Sequence, residues 1–213
     1  MGHCARLIAG LQGEKIPGWI KVPYTLFVLF LVPVYWGWYG PVNFLWFSNI
    51  ALLTMTVALW WESRLLTSMM AVAVFILELG WNIAFFGTLL TGHEMLGLTG
   101  YMFDEAVPRL VRGLSLYHVV LPWLLVWVVC RLGYDQRALR WQTLVAWVVL
   151  PVTYVFASPT RNINWVYGWQ ESPFGWFSPP VQLVLLMVLI PAAIYYPTHL
   201  LLSRFFGGKW ERR

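Results

Sequence analysis

Charge is scarce in this sequence. Of its 213 residues only 11% are charged, against roughly 25% in an ordinary soluble domain, while 60% are hydrophobic. A water-soluble fold has no means of hiding that much apolar surface. Cysteine is scarcer still: Cys4 lies in the leading tail and Cys130 near the end of an apolar run, which excludes a disulfide framework. Gly-rich phosphate loops, Cys pairs and haem attachment motifs are missing, so no cofactor is expected. There is no low-complexity stretch and no internal repeat, and without repeat symmetry a small-solute transporter is the least favoured of the membrane functions. The opening MGHCARLIAG lacks a compact signal-peptide core with a small-residue cleavage site, and position 6 is Arg where a myristoylation motif needs Ser or Thr. The first apolar run is therefore expected to be retained.

What the sequence does have is apolar length. A spanning helix needs about 20 largely apolar residues, and six segments approach that: Ile20 to Trp38, Asn43 to Trp61, Leu65 to Leu90, Leu114 to Leu132, Trp141 to Ala157 and Val181 to Leu202. The connection WYGPVN carries Gly and Pro and reads as a tight turn, making the first two helices an antiparallel hairpin. The expected fold is all-α, a polytopic membrane helical bundle of six transmembrane helices forming one domain over residues 1–213.

Lys and Arg orient this layout, because short cytoplasmic loops carry an excess of positive residues. One side collects Arg6, Lys15, Lys21, Arg64, Arg131, Arg137, Arg140, Arg204, Lys209, Arg212 and Arg213, and the other only Arg109, Arg112 and Arg161. The bias places both termini in the cytoplasm, with residues 1–19 and 203–213 as tails, and suggests a bacterial inner membrane. The net charge of +5 is spread singly or in pairs at the ends of apolar runs. Such a distribution is topological, and no nucleic-acid partner is expected.

Tryptophan is abundant, with 15 residues. Many, including Trp36, Trp38, Trp60, Trp61, Trp141, Trp165, Trp169 and Trp176, stand at segment ends, where indole favours the headgroup zone. Pro33, Pro122, Pro151, Pro191 and Pro197 fall inside apolar segments, and each can kink a helix and free a backbone carbonyl. Two outer connections exceed a turn, Thr91 to Gly113 and the aromatic loop 158–180; the latter, rich in aromatics, Asn, Gly and Pro, reads as a lid on the membrane surface.

Ionisable groups inside a span are expensive and mark candidate sites. Glu78 lies near the middle of the third segment, with Asn82 one turn later on the same face. Glu78 is either a buried, hydrogen-bonded carboxyl or a proton acceptor supporting a site. His118 falls about 6 Å below the outer boundary of the fourth segment, and Ser48 about 7 Å below it in the second. A hydroxyl and an imidazole at matching depth are the minimum kit for nucleophilic catalysis, with a third group to orient the base. Asn49, Glu78, Asn82, Asn162 and Asn164 are the available orienters or oxyanion donors. His199, at the cytoplasmic end of the last segment, reads as interfacial. His93, Glu94, Asp104 and Glu105 match no recognisable ligand spacing, so no metal is expected.

Three of these segments carry a resemblance. FLWFSNIALL in the second helix is similar to a segment of the YwaF-like integral membrane proteins and their eukaryotic acyltransferase relatives, in which Ser48 stands where that family has Cys and Asn49 where it often has Asp. LSLYHVVLPWLL resembles the segment carrying that family's His, at His118, and NINWVYGWQESPFGWFSPP resembles its outer loop at Asn164, Trp165 and Gly168. More distantly the layout is similar to the androgen-induced and androgen-dependent intramembrane hydrolases, whose nucleophilic Thr aligns with Trp46. The resemblance implies a membrane lipid as partner and acyl transfer or ester hydrolysis as reaction, with Ser48 as nucleophile and His118 as base.

The expected function is thus an outer-leaflet lipid-binding pocket bounded by the second, third and fourth helices and covered by the last outer loop, with Ser48 and His118 catalytic. The alternative of a different class is a non-catalytic accessory subunit held among other membrane protein subunits, which the aromatic surface and short tails suit equally.

Overall fold

The computed structural model describes residues 15–168 and 177–207. The expectations for Cys4, Arg6, Trp169, Trp176, Lys209, Arg212 and Arg213, and for the centre of the last outer loop, lie outside the described residues.

Among the described residues every regular element is helical. Helix α1 spans Gly18–Tyr39, α2 Phe47–Trp61, α3 Arg64–Thr91, α4 Gly100–Phe103, α5 Arg109–Ser115, α6 Tyr117–Leu132, α7 Ala138–Phe156, α8 Pro179–Leu189 and α9 Tyr196–Phe206. A π-helical turn over Ile190–Tyr195 joins α8 to α9, and 3-10 turns occupy Pro41–Leu45 and Ile163–Trp165. With α5–α6 and α8–α9 each taken as one rod, five helices are long and apolar enough to cross a membrane, consistent with an integral membrane protein.

The second segment departs from expectation. Its helix has 15 residues, about 22 Å at 1.5 Å per residue, and starts at Phe47 instead of Asn43. Pro41, with its fixed φ and no N–H, opens a 3-10 turn. Trp46 then takes φ −56°, ψ 133°, which breaks the helical path before Phe47. The fourth segment also begins earlier than expected, at Arg109, and is interrupted at Leu116.

Helix α3 is the axis of the bundle, touching α2, α6, α7, the π-helical turn and α9, while α1 packs on α2 and α8 on α7. Ser63 caps its N-terminus by accepting a hydrogen bond from the Leu66 N–H at 3.3 Å, satisfying one of the orphan donors there. Where helices cross, Ala51, Ala58, Ser68, Ala71 and Ala146 are fully buried. Such small side chains let backbones approach closely, the packing mode expected where lipid removes the hydrophobic drive between helices. Leu52, Met55, Leu59, Leu121, Leu125 and Leu150 fill the space between them.

Contacts at the rod ends fix which ends lie together. At one end Glu62 accepts from Lys21 Nζ at 2.7 Å and from the Ile16 N–H at 3.0 Å. There Asp135 pairs with Arg137 at 2.9 Å and Arg64 at 3.8 Å, Arg131 donates to the Lys15 carbonyl, and Ser203 bonds Gln136. At the other end Arg161 donates to the Tyr39 carbonyl and Asn164 reaches Leu45 and Phe47. Consecutive rods therefore alternate in direction, α2 included.

Candidate functional site

The face of α3 that carries Glu78, Trp81 and Asn82 meets the start of α6, because residues three and four apart share one side of a helix. Across that interface Glu78 Oε2 stands 2.8 Å from His118 Nδ1. The Glu78 side chain is 2% exposed and that of His118 is 13% exposed. A carboxyl so deeply buried is costly unless it has such a partner. Asn82 Nδ2 donates both to the Glu78 carbonyl, at 2.7 Å, and to the His118 carbonyl, at 2.9 Å. Three residues singled out by their intramembrane polarity are thus brought into one cluster.

Two aromatic rings hold the imidazole. Trp81 stacks on it with centroids 4.7 Å apart, and Tyr117 with centroids 4.1 Å apart. With Glu78 at Nδ1, the other ring nitrogen of His118, Nε2, is left available to a further partner. Among the described residues, no hydrogen bond occupies Nε2.

Ser48 and Asn49 enter from the first turn of α2. Tyr117 donates to Asn49 Oδ1 at 2.9 Å, and Asn49 Nδ2 donates to the Asn43 carbonyl at 2.9 Å. Ser48 neighbours the Tyr117 hydroxyl; among the described residues no hydrogen bond joins it to His118. The cluster therefore contains an imidazole, its carboxyl partner and a hydroxyl separated from the imidazole by one side chain, Tyr117.

The two loop asparagines separate. Asn162 serves its own loop, donating to the Gly168 carbonyl at 2.6 Å and accepting from the Tyr167 N–H at 2.9 Å. Asn164 is 2% exposed and bonds the backbone on both sides of the α2 break. Trp46, where the hydrolase resemblance aligns a nucleophile, packs edge-on against Trp165 with centroids 5.5 Å apart.

Sequence reasoning missed Tyr117, Trp81, Tyr101 and Tyr35. Tyr35 and Ser115 share a 2.6 Å hydrogen bond, and the Tyr101 hydroxyl comes near Ser115 and Trp81. The signal for Trp81 was its spacing three residues after Glu78, and for Tyr117 its adjacency to His118. An apolar groove of about 420 Å³ lies elsewhere, between α7 and the π-helical turn, lined by Leu139, Trp147, Met187, Pro191, Ala192 and Tyr196 among others, and none of the candidate residues lines it. At the opposite end from the α2 break, Tyr134 and His199 form a second pair at 2.7 Å. Among the described residues, no group of three or more His, Cys, Asp and Glu is placed to hold a metal ion. No family model, curated protein or solved structure matches the chain.

Proposed function

We propose that this chain is a six-crossing membrane protein with cytoplasmic termini whose Glu78–His118 pair serves as the general base of a lipid acyl transfer or ester hydrolysis centre in the outer half of the membrane. The observation that carries the reading is the 2.8 Å contact between a fully buried carboxyl and His118 Nδ1 inside an aromatic enclosure. A buried ionisable pair within apolar helices is expensive to keep and marks function by default. For the second crossing, α2 is an apolar helix of about 22 Å that runs antiparallel to α1 and α3 with its ends level with theirs, which supports counting it with the five longer rods.

In this reading Ser48 Oγ attacks the acyl carbonyl of an amphiphilic ester as His118 Nε2 takes the Ser48 proton, a transfer that requires the hydroxyl and the imidazole to close the gap now held by Tyr117 when the ester binds. Collapse of the tetrahedral adduct breaks the ester C–O bond, and His118 returns the proton to the departing alcohol. Water or an acceptor hydroxyl then removes the acyl group from Ser48 by the same steps in reverse order. Glu78 stays at Nδ1 throughout and steadies the imidazolium.

A fluorophosphonate probe applied to the full chain in detergent should label Ser48. Ser48→Ala should abolish labelling, and His118→Ala should slow it by about a hundredfold, the lower range for a general base. Folded native protein that takes no label, or a Ser48→Ala variant that labels as before, would overturn the proposal.

A further inference from the structure

The last outer loop is tied to the candidate site through one side chain. Between Leu45 and Phe47 the backbone leaves a 3-10 turn and enters α2, with Trp46 extended between them. Such a break strands the Phe47 N–H, the first of α2, and the Leu45 carbonyl, and within apolar surroundings no water is at hand to satisfy them. Asn164 does so. Its Oδ1 accepts from the Phe47 N–H at 3.2 Å and its Nδ2 donates to the Leu45 carbonyl at 2.8 Å. One amide side chain thus takes the place of a missing peptide partner.

Holding Asn164 there strains the loop. Asn162, Asn164 and Trp165 have φ of 39°, 53° and 55°, in the left-handed region that asparagine tolerates and tryptophan does not. Backbone of that kind persists only when its surroundings over-determine it. The Trp46–Trp165 ring contact and the paired Asn164 bonds are those surroundings.

The residues that follow the break are Ser48 and Asn49. Asn49 grips the Asn43 carbonyl on one side and the Tyr117 hydroxyl on the other, and Tyr117 stacks on His118. We infer that Asn164 is a positioning residue for Ser48: it locks the first turn of α2 in register with Tyr117 and His118, so that the outer loop governs the reactivity of the site. The link to reactivity rests on the reading of Ser48 as nucleophile; the positional link does not.

The test uses two cysteines in the full chain in liposomes. In a C4S/S48C background, N-ethylmaleimide alkylation is followed at position 48 and at native Cys130, near the far end of α6, with each site resolved by mass spectrometry. Asn164→Ala should raise the rate at position 48 about tenfold, as loss of two hydrogen bonds allows, and leave Cys130 unchanged. Asn164→Asp, which keeps the acceptor for Phe47 and loses the donor for Leu45, should fall between and decides the matter should the alanine variant not fold. An unchanged rate at position 48, or an equal rise at Cys130, would overturn the inference. Fluorophosphonate labelling of Ser48 in the otherwise native chain should fall about tenfold with Asn164→Ala; if the native chain takes no label the catalytic reading fails by itself, while the alkylation rates still report on Asn164.

Discussion

Asn82 Nδ2 donates to the His118 carbonyl at 2.9 Å across the α3–α6 interface, and that carbonyl lacks its intrahelical donor because the residue four positions on is Pro122. A proline inside a membrane helix is tolerated when a neighbour supplies the missing donor, and here the neighbour is the residue that also flanks Glu78. Asn82→Ala should therefore destabilise the protein by about 1–3 kcal/mol, the cost of a buried unsatisfied carbonyl. Pro122→Ala restores a backbone N–H to the same carbonyl. In that background Asn82→Ala should cost about 1 kcal/mol less, and a double-mutant cycle of detergent unfolding measures the coupling. Equal costs in the two backgrounds would show that Asn82 does not serve this carbonyl.

The Glu78–His118 contact predicts an asymmetry between breaking and removing a pair. Glu78→Ala leaves the imidazole buried without its partner, and a loss of roughly 3–5 kcal/mol is expected. Replacing both residues by apolar ones of similar volume, Glu78→Met with His118→Phe, should recover most of that stability, because no polar group is then stranded. Melting temperatures of the single and double variants decide it. The double variant should also take fluorophosphonate about a hundredfold more slowly, as His118→Ala does, which separates the stability of the bundle from the reactivity of Ser48.

Much of this cluster was legible in the sequence because it is written in helix periodicity. Glu78 and Asn82 lie one turn apart, so a single face of α3 had to carry both, and an intramembrane carboxyl had to find a partner. Ser48 and His118 were legible as lying at one level but not as neighbours, because residue spacing fixes position along a helix and leaves its rotation open. The break at Trp46 was illegible for a different reason. FLWFSNIALL is apolar enough to read as uninterrupted helix, and its interruption is held by Asn164, 118 residues further on. The π-helical turn at Ile190–Tyr195 was hidden likewise, since Pro191 announces a disturbance without saying which hydrogen-bond pattern replaces the α one.

Asp135 sits in the connection between α6 and α7, outside the spans, where the Arg137 guanidinium first, and Arg64 beyond it, hold its carboxyl below the usual aspartate range. A depressed folded value means that the group stabilises the folded state in full above its unfolded pKa of about 3.9, and that the contribution is lost as pH falls through the folded value. Asp135→Asn should therefore melt below the native chain at pH 7, with the gap unchanged down to pH 5. Below about pH 4 the two curves should converge. A gap that persists to pH 2 would assign the loss to the geometry of the hydrogen bonds that the Asp135 side chain accepts from the Arg137 N–H and guanidinium instead of to its charge.

A second proline tests whether tryptophan in this chain is only an interfacial anchor. Pro191 has no N–H to return to the Met187 carbonyl, and Trp147 Nε1 donates to that oxygen from α7 at 2.8 Å. The indole is half exposed, so its hydrogen bond is made at the bundle surface, where in lipid no water competes for the carbonyl. Trp147→Phe keeps the ring and removes the donor, and should cost about 1 kcal/mol or somewhat more. Trp141, similarly exposed and six residues earlier on α7, gives the comparison: Trp141→Phe should change stability by less than about 0.5 kcal/mol. Unfolding both variants in the same detergent distinguishes the cases. If Trp147→Phe proves as silent as Trp141→Phe, the indole is an anchor alone, and the π-helical turn satisfies the Met187 carbonyl through its own backbone.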